Sequence, residues 1–308
     1  MALLFTVDTV EDLSPHMRRF TFSGDAVGQY IATGQFPNIK IFLPHPDGTY
    51  DVPELDDPTS RVETVLRSRP ELHARVRTYT VRRHSAENNT LSIDFVLHGD
   101  EGIASAWAER AKPGTTLGIA GGGGRHIGHG DHYLIAGDET GLPGIGDILD
   151  NLPADATGTA YIEIADDSGR FELTKPGGVD VVWLSREGAP GGTTTLLIDA
   201  VKAHELKPNT FAWVSAESAQ VIAIRKDLRA RGVDRKSMLV IGYWRRGLSE
   251  NGYAKSANHD RDLKEYDDHE HDHDHGVGAA MREGAANLAT RLRRRRRARD
   301  PKHHPTAD

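Results

Sequence analysis

Arg77-Thr78-Tyr79-Thr80 sets three kinds of chemistry on one short run. An arginine fork donates two parallel hydrogen bonds and suits a phosphate. A tyrosine presents a flat apolar ring with a hydroxyl at one end. A threonine beside them can hydrogen-bond to a ring nitrogen. The run lies within Arg75–Arg83, whose alternation of apolar and polar residues predicts a strand. Side chains alternate along a strand, so Arg77, Tyr79 and Val81 share one face, and Thr78, Thr80 and Arg82 the other. One ligand with a planar ring and a diphosphate would use all of these groups. An edge strand with a solvated arginine and a core tyrosine would have the same composition.

Two further stretches carry chemistry. Asp94-Phe95-Val96-Leu97-His98-Gly99 reads as a strand, and Gly102-Ile103-Ala104-Ser105-Ala106-Trp107 as a loop opening a helix. Gly102 lets another backbone approach closely, and a first helical turn offers unpaired N–H groups at the positive end of the dipole. Ser105 adds a hydroxyl. The combination suits a diphosphate, and equally an ordinary helix start with Trp107 in the core. Leu134 to Ile145 reads as strand, tight turn and helix, with Pro143 in the first turn, where its missing N–H costs nothing. It has neither G-x-G-x-x-G nor the P-loop pattern, which excludes those two cofactor motifs.

These runs need elements to position them. Up to about residue 125 the chain reads as short strands: Leu3–Val10, Met17–Ser23, Asn38–Leu43, Arg75–Arg83, Leu91–Leu97 and Thr116–Ala120, with one helix near Ala104–Ala111. That spacing predicts an antiparallel barrel or sandwich. Gly121–Gly124 reads as a flexible junction and places the domain boundary. From His132 to Gly247 short apolar runs alternate with helical stretches. The runs are Tyr133–Ala136, Ala160–Ile164, Val179–Leu184, Phe211–Val214 and Met238–Ile241; the helices are Gly144–Asn151, Thr194–His204 and Ala219–Arg231. Apolar runs of this kind suit strands buried on both faces, and the alternation predicts a Rossmann-like parallel sheet. Thr193-Thr194-Thr195 supplies N-cap hydroxyls, and Gly232 a helix C-cap. The expected organisation is a β-barrel domain at 1–124, an α/β domain at 125–249 and a low-complexity, disordered tail at 250–308.

The chain has no cysteine. Disulfides, iron–sulfur clusters and thiolate chemistry are excluded, so any redox activity needs an organic cofactor. No apolar run reaches membrane-spanning length, and the N-terminus lacks a signal-peptide pattern, so a cytoplasmic location is expected. Net charge is −7; the tail from Glu250 holds 12 acidic and 12 basic residues, so the body carries all of it and no nucleic-acid surface is expected. In the tail, His269, His271, His273 and His275 alternate with acids and suit either weak metal binding or a solubilising tract. Arg293–Arg297 suits acidic lipid, nucleic acid or the tail's own acids.

Arg77-Thr78-Tyr79-Thr80 is similar to the Arg-x-Tyr-Ser/Thr signature of ferredoxin-reductase-like flavoenzymes. Together with Asp94–Gly99, Gly137-Asp138-Glu139-Thr140-Gly141-Leu142-Pro143-Gly144-Ile145, Trp213–Glu217 and Gly242-Tyr243-Trp244, it resembles the siderophore-interacting protein family over roughly Leu4 to Gly247. Gly141 and Gly144 depart from that pattern, which has alanine there. Glycine at both is expected to loosen the first helical turn.

The resemblance implies FAD, with Arg77 on the pyrophosphate, Tyr79 against the isoalloxazine and Thr80 near N5, and with Asp94, His98, Gly102, Ala104 and Ser105 around it. It implies NAD(P)H at Asp138, Glu139, Thr140, Ser215 and Glu217. Ser185-Arg186 resembles the Ser-Arg of plant-type ferredoxin reductases and implies NADPH, through a bidentate contact from Arg186 to the extra phosphate. A solvated loop arginine would read the same. The implied activity is NAD(P)H-dependent ferric-siderophore reduction by a monomer. Arg18, Lys40, Arg245 and Arg246 are candidates for attracting an anionic ferric siderophore. A general flavin or ferric-chelate reductase, and a non-catalytic iron-siderophore or metal carrier using the histidine-rich tail, are the alternatives.

Overall fold

The computed structural model describes residues 3–34, 36–52, 62–99, 102–123, 127–248 and 252–253. Seven strands of the N-terminal half form one antiparallel sheet. They are β1 (Leu3–Ser14), β2 (Met17–Ser23), β3 (Asn38–Phe42), β4 (Val76–Thr80), β5 (Arg83–Ser85), β6 (Thr90–Val96) and β7 (Thr116–Gly123), in the order β4-β3-β7-β1-β2-β6-β5. Helices α1 (Asp25–Ile31), α2 (Val62–Ser68) and α3 (Ile103–Arg110) lie between them.

The run read as one strand, Arg75–Arg83, is two. β4 pairs with β3 at one edge of the sheet, and β5 pairs with β6 at the other. Only Val81 and Arg82 separate them, so the chain itself joins the two edges and the sheet closes as a barrel. Arg82 N–H bonds to the carbonyl of Ser92 at 2.8 Å, and Val81 N–H to that of Pro37 at 2.8 Å, which satisfies the backbone at the bend. Phe5, Phe20, Phe22, Ile41, Ile93, Phe95 and Ile119 fill the interior.

The glycines are not a flexible junction. Gly121–Gly123 belong to β7, while Gly124 lies outside the described residues. Gly121 has φ +62, its carbonyl accepts from the Tyr30 hydroxyl at 2.9 Å, and a Cβ there would come within 2.3 Å of Val62. Glycine serves close packing and a left-handed backbone at this position.

The C-terminal half is a parallel sheet of β8 (His132–Gly137), β9 (Thr157–Ile164), β10 (Gly178–Ser185), β11 (Thr210–Glu217) and β12 (Met238–Trp244), in the order β10-β9-β8-β11-β12. Helices α4 (Leu142–Asn151), α5 (Leu196–Ala203) and α6 (Ser218–Ala230) connect it. Alternate residues feed opposite faces. Leu134, Ala136, Ala212 and Val214 pack with Val201 of α5 and Ile224 of α6. Tyr133, Ile135, Phe211 and Trp213 pack with Ile145 and Leu149 of α4, and with Met17 from the barrel. Every residue of β11 is buried, as befits an inner strand, whereas the edge strand β10 is half open.

Two caps differ in their fate. Gly232 (φ +85) ends α6 in a Schellman arrangement, with Val233 N bonded to Leu228 O and Gly232 N to Arg229 O. The threonines before α5 do not cap it. Thr195 donates to Asp199 at 2.7 Å, and the buried Glu163 carboxylate accepts from Leu197 N instead. The packed body also reaches past the expected end of the α/β part, because Tyr253 is buried and its hydroxyl donates to Gly242 O at 3.0 Å.

Candidate functional site

Strand order reverses between β8 and β11: the chain passes from β8 outward to β9 and β10, then returns to β11 and β12 on the other side. In open parallel sheets, ligands bind outside the carboxyl ends of the strands at such a switch point. Gly137-Asp138-Glu139-Thr140 follows β8 there, and Ser215-Ala216-Glu217 ends β11.

Asp138 organises the first of these turns. Its Oδ1 accepts from Thr140 N at 2.9 Å, Thr140 Oγ1 at 2.6 Å and Gly141 N at 3.4 Å. Its Oδ2 accepts from Trp244 Nε1 at 2.7 Å. Burial nevertheless dominates and pushes its pKa up to about 6. The first turn of α4 is itself buried, and its early donors are engaged by Asp138. Gly141 is not a loosened alanine position. A Cβ there would stand 2.4 Å from Ser215 O, so glycine lets the turn press against β11. At Gly144 a Cβ would lie 3.2 Å from the Trp213 ring.

Tyr243 joins this crevice to the barrel. Its phenol pKa is pushed up by burial, against smaller opposing effects of the nearby Ser215 and of Thr80, the last residue of β4. Ser215 Oγ in turn donates to Ile241 O at 3.1 Å. Thr80 and Ser215, both predicted site residues, therefore lie on either side of the tyrosine of Gly242-Tyr243-Trp244.

The barrel wall carries the other predicted group. Tyr79 is half-buried, with its ring 4.3 Å from that of Phe95, and Phe95 packs on Trp107 of α3 at 5.2 Å. One phenylalanine thus links the Arg77–Thr80 strand to the helix opening at Gly102. Among the described residues, no side chain caps the start of α3 at Gly102. A Cβ on Gly102 would reach 2.7 Å from the His98 ring, so glycine keeps that helix start close to His98. A helix start that no described side chain caps, an arginine-bearing strand and a partly open tyrosine ring fit a diphosphate joined to a flat ring. Arg77 Nη1 donates to Val76 O at 2.7 Å, so its fork lies folded along its own strand.

Several predicted ligands have other work. The buried Asp94 takes both oxygens to Arg19, at 2.7 and 2.8 Å. Ser105 Oγ accepts from His98 N at 2.9 Å and is buried. Glu217 caps α6, with Oε2 accepting from Ala219 N at 2.6 Å and Oε1 from Arg246 N at 3.2 Å. Ser185 Oγ accepts from Glu187 N at 3.2 Å. Arg186 is neither solvated nor open to a phosphate: its fork closes on Glu139 at 2.8 and 2.9 Å. Arg18 is tied to Asp12 at 2.5 Å and to Ala108 O at 3.0 Å, and Lys40 to Thr78 at 2.6 Å. Arg245 and Arg246 are exposed beyond β12. His269, His271, His273 and His275 lie outside the described residues; among those described, no group of acids and histidines is placed to hold a metal.

Comparison with known proteins gives the family and the fold. The model of the siderophore-interacting FAD-binding domain matches residues 6–126, and that of the siderophore-interacting protein matches 130–247. The chain belongs to the siderophore-interacting protein family. Ferric vibriobactin reductase ViuB of Vibrio cholerae is 30% identical over 245 residues, covering 78% of this chain and 88% of that one. The crystal structure of a siderophore utilization protein from T. fusca is 34% identical, with a TM-score of 0.72, covering 81% of this chain and 94% of that one. The ferredoxin–NADP+ reductase of Plasmodium falciparum is only 12% identical but reaches a TM-score of 0.56 over 79% of this chain and 96% of that one, which speaks for the shared fold. This siderophore-interacting protein thus pairs an antiparallel FAD-type barrel with a parallel α/β sheet. Among the described residues, no helix is long and apolar enough to cross a membrane.

Proposed function

We propose that this chain is a monomeric, cytoplasmic, FAD-dependent ferric-siderophore reductase drawing its electrons from NAD(P)H, with a barrel domain at 1–124 and a nucleotide domain at 125–249. The observation that carries this reading is the proximity of Tyr243 to both Thr80 and Ser215. It sets the end of the barrel strand bearing Arg77 and Tyr79 against the crevice at the sheet's switch point, where a flavin on one and a nicotinamide on the other would face each other. FAD, when bound, supplies the conversion of a two-electron hydride into single electrons for Fe(III).

The chain's residues hold and shield. Arg77 and the first turn of α3 would take the diphosphate, with His98 beside Gly102. Tyr79 would lie along the ring system, and Thr80 would hydrogen-bond at its edge. Asp138, Thr140 and Ser215 shape the crevice for the nicotinamide nucleotide. Arg245 and Arg246, exposed at the rim after β12, would attract an anionic ferric siderophore.

Purified protein should be yellow, with flavin bands near ~450 nm, or become so on adding FAD. Anaerobic NADH or NADPH should bleach it, and a panel of ferric siderophores should restore the colour. A colourless chain that takes up no FAD would sink the proposal. If ferric citrate reoxidises the flavin and no siderophore complex does, the general ferric-chelate reductase is the correct reading.

A further inference from the structure

Arg186 stands immediately after β10, at the carboxyl end of the sheet, and its side chain is only 6% exposed. Nη1 and Nη2 donate to the two oxygens of Glu139 at 2.9 and 2.8 Å, and Nε donates to Ala189 O at 3.1 Å. Glu163, fully buried, lies 3.6 Å from Nη1. Three of the five N–H donors of the guanidinium are therefore engaged, and a second carboxylate faces it. Glu163 is itself held by Thr194 Oγ1 at 3.2 Å, Leu197 N at 3.3 Å and Gln220 Nε2 at 3.3 Å, so it cannot swing aside cheaply. Asp138 adds a third acid to the field at Arg186.

A nucleotide 2′-phosphate approaching Arg186 would meet Glu139, Glu163 and the field of Asp138 around that cation. It carries about −1.5 to −2 at neutral pH. To reach the Arg186 fork it must break the bidentate pair and leave Glu139 unmatched in a low-dielectric place. A ribose 2′-hydroxyl faces no such conflict, since it can donate to a carboxylate that still has acceptor capacity. An acid that accepts from the ribose hydroxyl marks NAD sites, whereas an open arginine marks NADP sites.

We infer that the Glu139–Arg186 pair selects against the 2′-phosphate, so that NADH rather than NADPH is the preferred nucleotide of this chain. The inference rests on the reading that a nicotinamide nucleotide binds at the switch-point crevice. Its test is calorimetric binding of 5′-AMP and of 2′,5′-ADP to the full-length FAD-loaded protein, alongside anaerobic flavin bleaching by NADH and NADPH.

Wild type should bind 5′-AMP at least as tightly as 2′,5′-ADP, and NADH should bleach the flavin faster at equal concentration. Glu139→Gln, which removes the competing charge, should shift the ratio of affinities about tenfold toward 2′,5′-ADP over 5′-AMP, the scale of one charge-assisted contact. A wild type that binds 2′,5′-ADP tenfold tighter, with the advantage lost in Arg186→Ala, overturns the inference and leaves the nucleotide site standing. Failure of wild type to bind either nucleotide overturns the site and the inference together. The wild-type comparison decides even if a variant folds poorly.

Discussion

Arg82 donates through Nη1 to Asp150 Oδ2 at 2.5 Å, joining the bend that closes the barrel to the last turn of α4 in the parallel sheet. The guanidinium is 3% exposed and also lies 3.9 Å from Asp94, which Arg19 grips from the other side. Arg83 adds a more exposed bond to the same Asp150 at 2.8 Å. The ionic chain Arg19–Asp94–Arg82–Asp150 thus runs from the barrel wall into the α/β half.

Asp150→Ala should cost about 3 kcal/mol in urea unfolding, the low end for stripping a buried ion of its partner, because Asp94 remains near Arg82. Arg83→Ala should cost about 0–1 kcal/mol, as a half-exposed pair does. Desolvation raises the Asp150 pKa, but the Arg83 and Arg82 bonds outweigh it and hold the carboxyl below its usual value. The stability this pair contributes is therefore present above the ordinary carboxylate pKa and is lost as pH falls through the lowered one. Equal losses in the two variants, or an acid limb of wild-type stability unchanged by Asp150→Ala, would contradict this account.

Asp138 has the opposite sign. Its pKa is raised, to about 6, because burial outweighs the bonds from Thr140 and Trp244. The protonated acid is the form the folded state favours, so the contribution is greatest below the unfolded value and is lost as pH rises through about 6. The difference from 3.8 corresponds to on the order of 3 kcal/mol. Trp244 Nε1 donates to this carboxylate, so its emission should report the titration. A fluorescence step centred near pH 6 is expected in wild type, and its absence from Trp244→Phe and from Asp138→Asn assigns it. A step that survives in both variants belongs to another group.

Element types and their order were readable from the sequence because alternation in the barrel and short apolar runs in the sheet are strong local signals. The break at Val81-Arg82 was not, since barrel closure pairs residues far apart in the chain and leaves no local mark. Gly121–Gly123 read as a linker for a similar reason: the need for glycine comes from Val62, whose approach no window around residue 121 reveals. At the site, residue types were legible and partners were not. Asp94, Ser105, Arg186 and Glu217 have the chemistry of ligands, but each meets a complementary group from another element. Tyr243 became visible as a site residue only when β4 and β12 were brought together.

Glu217 tests how far apparent ligands are structural. It accepts from two first-turn N–H groups of α6 and from Arg246 N, and it is buried. Glu217→Ala should lower stability by about 1–2 kcal/mol, as loss of an N-cap does. FAD content and nucleotide affinity of the folded variant should stay within about twofold of wild type. Glu217→Asp, with one methylene fewer, should recover part of the stability. A variant with wild-type stability and lost nucleotide binding would return Glu217 to the cofactor.

Gly141 gives the sharpest contrast with expectation. Inside a helix alanine would stabilise by up to about 1 kcal/mol over glycine, although Gly141 is the N-cap of α4, where glycine is preferred. The backbone there is unstrained, with φ −81, so conformational freedom is not what glycine supplies. The obstacle is Ser215 O, 2.4 Å from where the Cβ would lie, with Asp138 O a further 3.5 Å contact. Both atoms are main chain on β8 and β11 or their ends, and they cannot rotate away as a side chain would. Gly141→Ala should therefore destabilise by about 1–3 kcal/mol, the range for overpacking, despite its better propensity inside a helix. The shift that relieves the clash must part the Asp138 turn from β11, so nucleotide affinity should fall as well. Gly144→Ala meets a tryptophan ring at 3.2 Å and should be the milder change in both respects. A Gly141→Ala protein as stable as wild type in urea, with unchanged nucleotide affinity, would show that the turn has room that the close approach to Ser215 denies.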